Sequence, residues 1–177
     1  MSNSKRLLIN GSPNKNGQSM NRAKALFDLT DTTLYHAYDL TVHSCDDCKG
    51  CHYKSHCKFQ DDMDDLFNAL KQADTLIIVS PIYFGGMSDQ VMRIINRFQM
   101  LYERKYTHHL PMTSLKALYT VTTCGAKNDT MFDGAKKTHA ILTSLFDATH
   151  SNVFHFNGTD HSCDNTALIE HYKPFIY

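Results

Sequence analysis

No stretch of this sequence approaches the length of apolar chain that crosses a bilayer, and no long apolar segment follows the charged N-terminal residues. Neither a membrane span nor a secretory leader is therefore expected, and the predicted compartment is the cytoplasm. An excess of one charge is missing too. Lys and Arg number 18 against 18 Asp and Glu, giving a formal net charge of zero with no basic stripe. That balance argues against a nucleic-acid or anionic-membrane partner. No repeat, low-complexity tract or linker divides the 177 residues, and 42% hydrophobic content suits a soluble globule. One domain over residues 1–177 is expected. Several catalytic signatures are also absent. The 11 histidines include no His-Glu-x-x-His spacing, no Gly-Lys-Ser/Thr ending marks a nucleoside triphosphate loop, and no Gly-x-Gly-x-x-Gly marks a dinucleotide turn. No Ser, His and Asp set announces a hydrolase.

What the chain does carry is alternation. Leu7-Leu8-Ile9, Thr33 to Tyr38, Leu76 to Val79, Leu118 to Thr122 and Val153 to Phe156 read as strands, the second of them weak and close to an edge. Between them, Met20, Ala23, Leu26 and Phe27 recur at helical spacing, as do Met63, Leu66, Phe67 and Leu70, and then Val91, Ile94, Ile95, Phe98 and Leu101. Asp61 and Asp62 suit the positive end of the second helix, and Ser88 suits the N-cap of the third. Phe132 to Phe146 reads as a further helix, and the tail to Tyr177 shows only a weak helical pattern at Leu168 and Tyr172. Such alternation predicts a parallel sheet covered by helices on both faces.

The first strand breaks directly into Gly11-Ser12-Pro13-Asn14-Lys15-Asn16-Gly17-Gln18-Ser19. This loop empties onto a helix N-terminus, where free N–H groups and the dipole favour an anion, and Ser12 and Ser19 add hydroxyl donors. An ordinary capped turn is the competing account of the same residues. A second loop, Ser80 to Ser88, offers the aromatic faces of Tyr83 and Phe84 beside Pro81, Gly85 and Gly86, which suits a flat ring; aromatics that cap the core and glycines that only turn the chain are the competing account. A third, Thr122-Thr123-Cys124-Gly125-Ala126, opens at the same sheet edge. Three loops converging on one crevice favour a nucleotide-like ligand with its phosphate at the first and its ring between the other two, and flavin mononucleotide, FMN, is a ligand of that kind.

Taken in order, Gly11-Ser12-Pro13 with Ser19, four cysteines followed by Asp61-Asp62-Met63, and Ser80-Pro81-Ile82-Tyr83-Phe84-Gly85 ahead of Asn96-Arg97 resemble the NAD(P)H-dependent FMN reductase family of flavodoxin-like proteins. The likeness is strongest from Leu7 to Arg97. It implies an α/β flavodoxin-like three-layer sandwich, with a five-stranded parallel sheet in the order 2-1-3-4-5. It also implies non-covalent FMN, with Ser12, Asn14 and Ser19 near the phosphate and Gln18 and Met20 among the cofactor-binding residues. Pro81, Ile82, Tyr83, Phe84, Gly85 and Gly86 would surround the flavin, and Thr123, Cys124 and Gly125 would complete the site. NAD(P)H would be the electron donor and a quinone, a free flavin or another small molecule the acceptor. The flavin carries the chemistry, so no side chain is assigned as catalytic acid or base, and Tyr83 is the residue expected to touch the ring. A homodimer or homotetramer is implied as well. The chain departs from the family at Asn14, where a basic residue is common, and at Asn96, where an aspartate is common. A basic phosphate contact at the first and an ion pair at the second are therefore not carried over.

Cytoplasmic thiols stay reduced, so the six cysteines are read as ligands, redox thiols or small buried residues rather than disulfides. Cys45, Cys48 and Cys51 stand at two-residue gaps, and Cys57 follows after five residues. This spacing resembles the compact motif of iron-sulfur flavoproteins within the same family, in which the four would hold a 4Fe-4S cluster. The chain would then act in electron transfer with another redox protein. Free thiols beside the flavin pocket are an equal alternative, and zinc ranks lower, since it favours two separated cysteine pairs. Cys124 is read as a small buried hydrophobe, and Cys163 is given no functional role.

Overall fold

The computed structural model describes residues 5–160 and 165–176. Cys163 and Tyr177 lie outside the described residues. In chain order the larger elements are β1 (Arg6–Asn10), α1 (Gln18–Leu26), β2 (Thr32–His36), α2 (Gly50–Lys54), α3 (Met63–Gln72), β3 (Thr75–Tyr83), β4 (Gly86–Met87), α4 (Asp89–Arg97), α5 (Gln99–Tyr106), β5 (Ala117–Thr123), α6 (Asp133–Leu145), β6 (His150–Phe156) and α7 (Thr166–Tyr172). Strands β2, β1, β3, β5 and β6 lie side by side in that order, all parallel. This is the expected flavodoxin-like order. The expected count of five strands needs correction to six, because β4 pairs antiparallel with the end of β3.

Strand periodicity divides the core into two halves. Leu7, Ile9, Leu76, Ile78 and Leu118 point to one face of the sheet, where α3, α4, α5 and α6 bury Leu66, Phe67, Ile94, Phe98 and Leu142. Leu8, Ile77, Val79, Tyr119 and Val121 point to the other, against Met20 and Ala23 of α1 and Leu168 and Tyr172 of α7. Three layers result, with the central strands buried on both sides.

Several boundaries differ from those expected. The weak second strand ends at His36 and turns through a short 3-10 segment, Ala37–Asp39, so Tyr38 leaves the strand. The helix expected through Leu101 divides at Phe98, which caps both α4 and α5. Ser88 does stand at the N-cap of α4, but its hydroxyl makes no capping bond. Instead its N–H donates to Ser80 Oγ at 2.9 Å, tying the two ends of the second loop together. Strand β3 continues through Pro81 to Tyr83, in register with β5 as far as Pro81 opposite Thr123.

Candidate functional site

The C-terminal ends of β1, β3, β5 and β6 open onto one cleft of about 420 Å³. Its walls are Ser12, Pro13, Asn14, Gly17, Gln18 and Ser19 from the first loop, Pro81 to Phe84 from the second, Thr123 to Ala126 from the third, and Thr159 and Asp160 after β6. A larger groove of about 590 Å³, lined by Phe67, Leu70, Lys71 and Met100, touches none of these strand ends. Chemistry rather than size favours the strand-end cleft, because convergent loops at the carboxyl edge of a parallel sheet are where this fold takes ligands.

Local hydrogen bonds set the first loop. Asn10 is fully buried, and its Oδ1 accepts the Ser12 N–H at 3.0 Å while its Nδ2 reaches His36 Nδ1 at 3.1 Å. Burial, with Lys15 nearby, lowers the His36 pKa, in keeping with a neutral ring that accepts from Asn10. Asn14 Oδ1 accepts the Asn16 N–H at 3.1 Å, and the Gly17 N–H returns to the Asn14 carbonyl at 3.0 Å. Lys15 is paired with Asp39. Gly11 is required by close approach, since a Cβ there would lie 2.0 Å from Val91 Cγ2. Ser19 is buried, and its hydroxyl lies 2.5 Å from that of Thr123 across the cleft floor.

The second loop is a tight hairpin. Ile82 pairs with Met87 and Tyr83 with Gly86, leaving Phe84 and Gly85 at the tip with φ of 50° and 80°. Positive φ at both central residues matches the right-handed twist of the flanking strands. Gly85 adopts it freely, whereas Phe84 incurs about 1–2 kcal/mol. Phe84 is also wholly exposed, and Tyr83 is half exposed. The carbonyl of Gly85 rests against α6, where a Cβ on Gly134 would come within 2.4 Å of it.

Three expected site residues do not line the cleft. Met20 packs into the core on the α1 side, and Gly85 and Gly86 shape the hairpin from outside its wall. Cys124 is buried as expected, yet it reaches the cleft. Thr159 and Asp160 were not anticipated. Asp160 presses on the third loop so closely that a Cβ on Gly125 would stand 1.9 Å from its Oδ2. The available signal was Asn157-Gly158, a turn pair directly after a strand.

The cysteine segment forms a separate centre. Cys45, Cys48, Cys51 and Cys57 line one small cavity of about 20 Å³ with Phe59, Arg97, Met100 and Glu103. All four thiols are free, Cys45 and Cys48 exposed, Cys51 and Cys57 half-buried. Burial, with Glu103, Cys57 and Cys45 nearby, pushes the Cys51 thiol up. Among the described residues no three Cys, His, Asp or Glu side chains are arranged to hold a single metal ion. A cluster of several irons spreads its thiolates more widely than one ion does, so four thiols around one cavity fit its donor set.

The segment is pinned from α4 and from the turn after α5. Arg97 Nη1 donates to Asp61 Oδ2 at 2.6 Å and to the His43 carbonyl at 3.0 Å, and His108 Nε2 reaches the Cys51 carbonyl at 2.9 Å. Asp61 also accepts the N–H groups of His43 and Met63. Burial alone would raise its carboxyl, but these bonds outweigh burial and hold it below the usual range. Asp61 thus serves the helix start as expected and adds a buried ion pair. Asn96, where the family's aspartate is common, is exposed.

A sequence profile of the NADPH-dependent FMN reductases matches residues 4–148. The chain belongs to this family. Among curated relatives, an iron-sulfur flavoprotein of Methanocaldococcus jannaschii is 29% identical over 98 residues, 52% of this chain and 51% of that protein. An Archaeoglobus fulgidus iron-sulfur flavoprotein is 30% identical over 100 residues, 54% of this chain and 49% of its own length. The chain thus spans about half the length of the curated relatives it matches, and these place it near the iron-sulfur flavoproteins of the family. Among solved structures, an NAD(P)H:quinone oxidoreductase of Methanothermobacter marburgensis superposes with a TM-score of 0.70 at 10% identity, covering 97% of this chain and 94% of that one. That likeness concerns the fold. No described helix is long and apolar enough to cross a membrane.

Proposed function

We propose that this FMN reductase family member binds FMN without covalent attachment in the strand-end cleft, accepts reducing equivalents from NAD(P)H and delivers them to a small acceptor such as a quinone or a free flavin. The observation that carries the proposal is convergence: the anion-suited loop, the aromatic hairpin and the Thr123 to Ala126 loop line one cleft. When bound, FMN supplies the electron chemistry, taking two electrons as hydride and releasing them to an acceptor. The chain's part is to hold, orient and shield.

With Lys15 committed to Asp39, the phosphate would be met by N–H groups at the start of α1, by the helix dipole and by the hydroxyl of Ser12. Asn14 and Gln18 complete that end, and Ser19 reaches it by exchanging its bond to Thr123 for one to the ligand. Tyr83 offers its face to the ring, Phe84 shields it from water, and Pro81, Ile82, Thr123, Cys124 and Gly125 close the remaining walls. Gly85 and Gly86 act through the hairpin's shape.

A homodimer or homotetramer belongs to the same proposal. Tyr102, Tyr106 and Ile141 are exposed apolar side chains around one groove, which supports it. A cytoplasmic location is supported by the free state of Cys45, Cys48, Cys51, Cys57 and Cys124. The test is anaerobic oxidation of NADPH and NADH by FMN-loaded protein, with quinone and free-flavin acceptors. Turnover that vanishes on removing FMN and returns on adding it supports the reading; full loading without turnover on any acceptor rejects it in favour of a flavin-binding module.

The cysteine cavity favours a second reading, in which Cys45, Cys48, Cys51 and Cys57 hold a four-iron cluster and the chain passes electrons between redox proteins. Gathering of all four thiols around one cavity supports it. Anaerobically purified protein would then be brown, with close to four irons per chain.

A further inference from the structure

One wall of the cysteine cavity is neither thiol nor solvent. Arg97, the last residue of α4, is 2% exposed and lines the cavity with all four cysteines. Its Nη1 is used by Asp61 and the His43 carbonyl. Its Nε and Nη2 are buried and have no partner among the described residues. The guanidinium centre lies 5.2 Å from the Phe59 ring, and Phe59 in turn stacks on His43 at 4.8 Å. The fork is therefore held flat from one side and anchored at one corner.

Two idle nitrogens, carrying three N–H groups between them, are costly on a buried cation unless an acceptor uses them. Asp61 does not line the cavity, so the ion pair presents its positive member to the thiols. Other charges in the same wall are occupied. Asp46 and Asp47 pair with the exposed Lys58 and Lys49, and Glu103 accepts from Thr107, Gln99 and His52. Only a strongly anionic, acceptor-rich occupant matches what Arg97 leaves unused, and four thiolates around an iron-sulfur core are such an occupant.

We propose that Arg97 is a positioning residue for that cluster: its unused N–H groups and its charge compensate the anionic sulfurs and raise the cluster's reduction potential. The proposal rests on the second reading above, that the four cysteines hold a cluster. Reduction adds one electron to the cluster and breaks no bond, so a buried cation favours the reduced form by plain electrostatics. Lys58 and Lys49 act less, being exposed and screened.

The test is a redox titration of anaerobically prepared protein with dithionite as the electron donor, followed by the EPR signal of the reduced cluster. The variant is Asp61→Asn with Arg97→Gln, which removes both members of the pair and strands no buried charge; Arg97→Lys keeps the charge and loses the fork. The double variant should shift the cluster's redox equilibrium at least tenfold toward the oxidised form, which is 59 mV for one electron. Arg97→Lys should recover more than half of that shift, and the flavin potential should move less than twofold in equilibrium terms. Pulsed EPR of the wild-type protein grown with isotope-labelled arginine nitrogen gives an independent readout that needs no folded double variant. A nitrogen coupling to the cluster, lost in Arg97→Lys, supports the proposal.

A loaded double variant within twofold of wild type, or no nitrogen coupling in the loaded wild type, overturns the role of Arg97 and leaves the cluster reading intact. Wild-type protein that binds FMN yet holds no iron after anaerobic reconstitution overturns both.

Discussion

The cleft at the strand ends and the cavity at the cysteines are built on opposite plans. The cleft rests on parallel strands whose register, Asn10 beside Val79 and Pro81 beside Thr123, is fixed by a core buried on both faces. Its loops can change without disturbing that core. The cavity rests on a connecting segment with one short helix, and Asp47, Lys49 and Ser55 within it hold φ of 53°, 59° and 56°. Left-handed backbone at non-glycine residues persists only where surrounding contacts over-determine it. Here Lys49 pairs with Asp47, Arg104 Nη1 donates to the Ser55 carbonyl at 3.4 Å, and Asp61 and Arg97 hold the start of the segment at His43. The two centres sit toward opposite ends of α4, whose nine residues span about 13 Å at 1.5 Å per residue. Ligand binding and stability should therefore separate at the cleft and coincide at the cavity.

The severest way to break that contrast is Asp61→Ala. It strands the Arg97 guanidinium in the interior and should cost about 3–5 kcal/mol in urea unfolding; a loss under about 1 kcal/mol would show that the pair does not hold the segment. Next in size is an effect that belongs to neither centre. His139 is buried between α6 and β5, its Nδ1 at 2.8 Å from Thr120 Oγ1, and burial lowers its pKa to about 4. The unfolded chain binds this proton near pH 6.5 and the folded chain only near pH 4, so stability falls as pH drops through that window. The loss reaches roughly 3 kcal/mol by pH 4. His139→Gln should flatten this part of the stability profile while FMN affinity at pH 7 stays unchanged.

Smaller changes sharpen the cleft's side of the comparison. Gly125→Ala collides with Asp160, so calorimetry should register at least tenfold weaker FMN binding with unfolding free energy altered by less than about 1 kcal/mol. Ser12→Ala removes one hydroxyl donor and should weaken FMN about five- to tenfold, or roughly 1 kcal/mol, with the unfolding midpoint unmoved.

Much of this architecture was legible in the residues, and the gaps have physical causes. Leu7-Leu8-Ile9 and Leu76 to Val79 announce doubly buried strands because every position is apolar. The extension of β3 through Pro81 was hidden, since proline ordinarily argues against a central strand. Beyond Val79, however, β1 has ended, so Pro81 keeps a partner only on the β5 side and its missing N–H has no ladder to break. The hairpin carries no turn signature in the sequence, because its tip is Phe84-Gly85 rather than Asn-Gly or Asp-Gly. Met20 carried the right spacing for α1, but helical spacing alone does not say which end of a loop a side chain faces. Arg97 sits among Ile94, Phe98 and Leu101 on an inward helix face, and a lone cation there was the sign of a buried pair. Its acid, Asp61, lies far away in sequence, where it suits a helix start and belongs to the Asp61-Asp62-Met63 motif without showing its partner.

Occupancy of the strand-end cleft by one FMN is the premise on which the roles of Ser12, Tyr83 and Gly125 depend. Equilibrium titration of the apoprotein with FMN, followed by the quenching of flavin fluorescence, tests this directly. One FMN per chain is predicted, with affinity weakened in both Ser12→Ala and Tyr83→Ala and retained in Asp61→Asn with Arg97→Gln. Unquenched fluorescence at every ratio, or binding that ignores Ser12 and Tyr83, would contradict it.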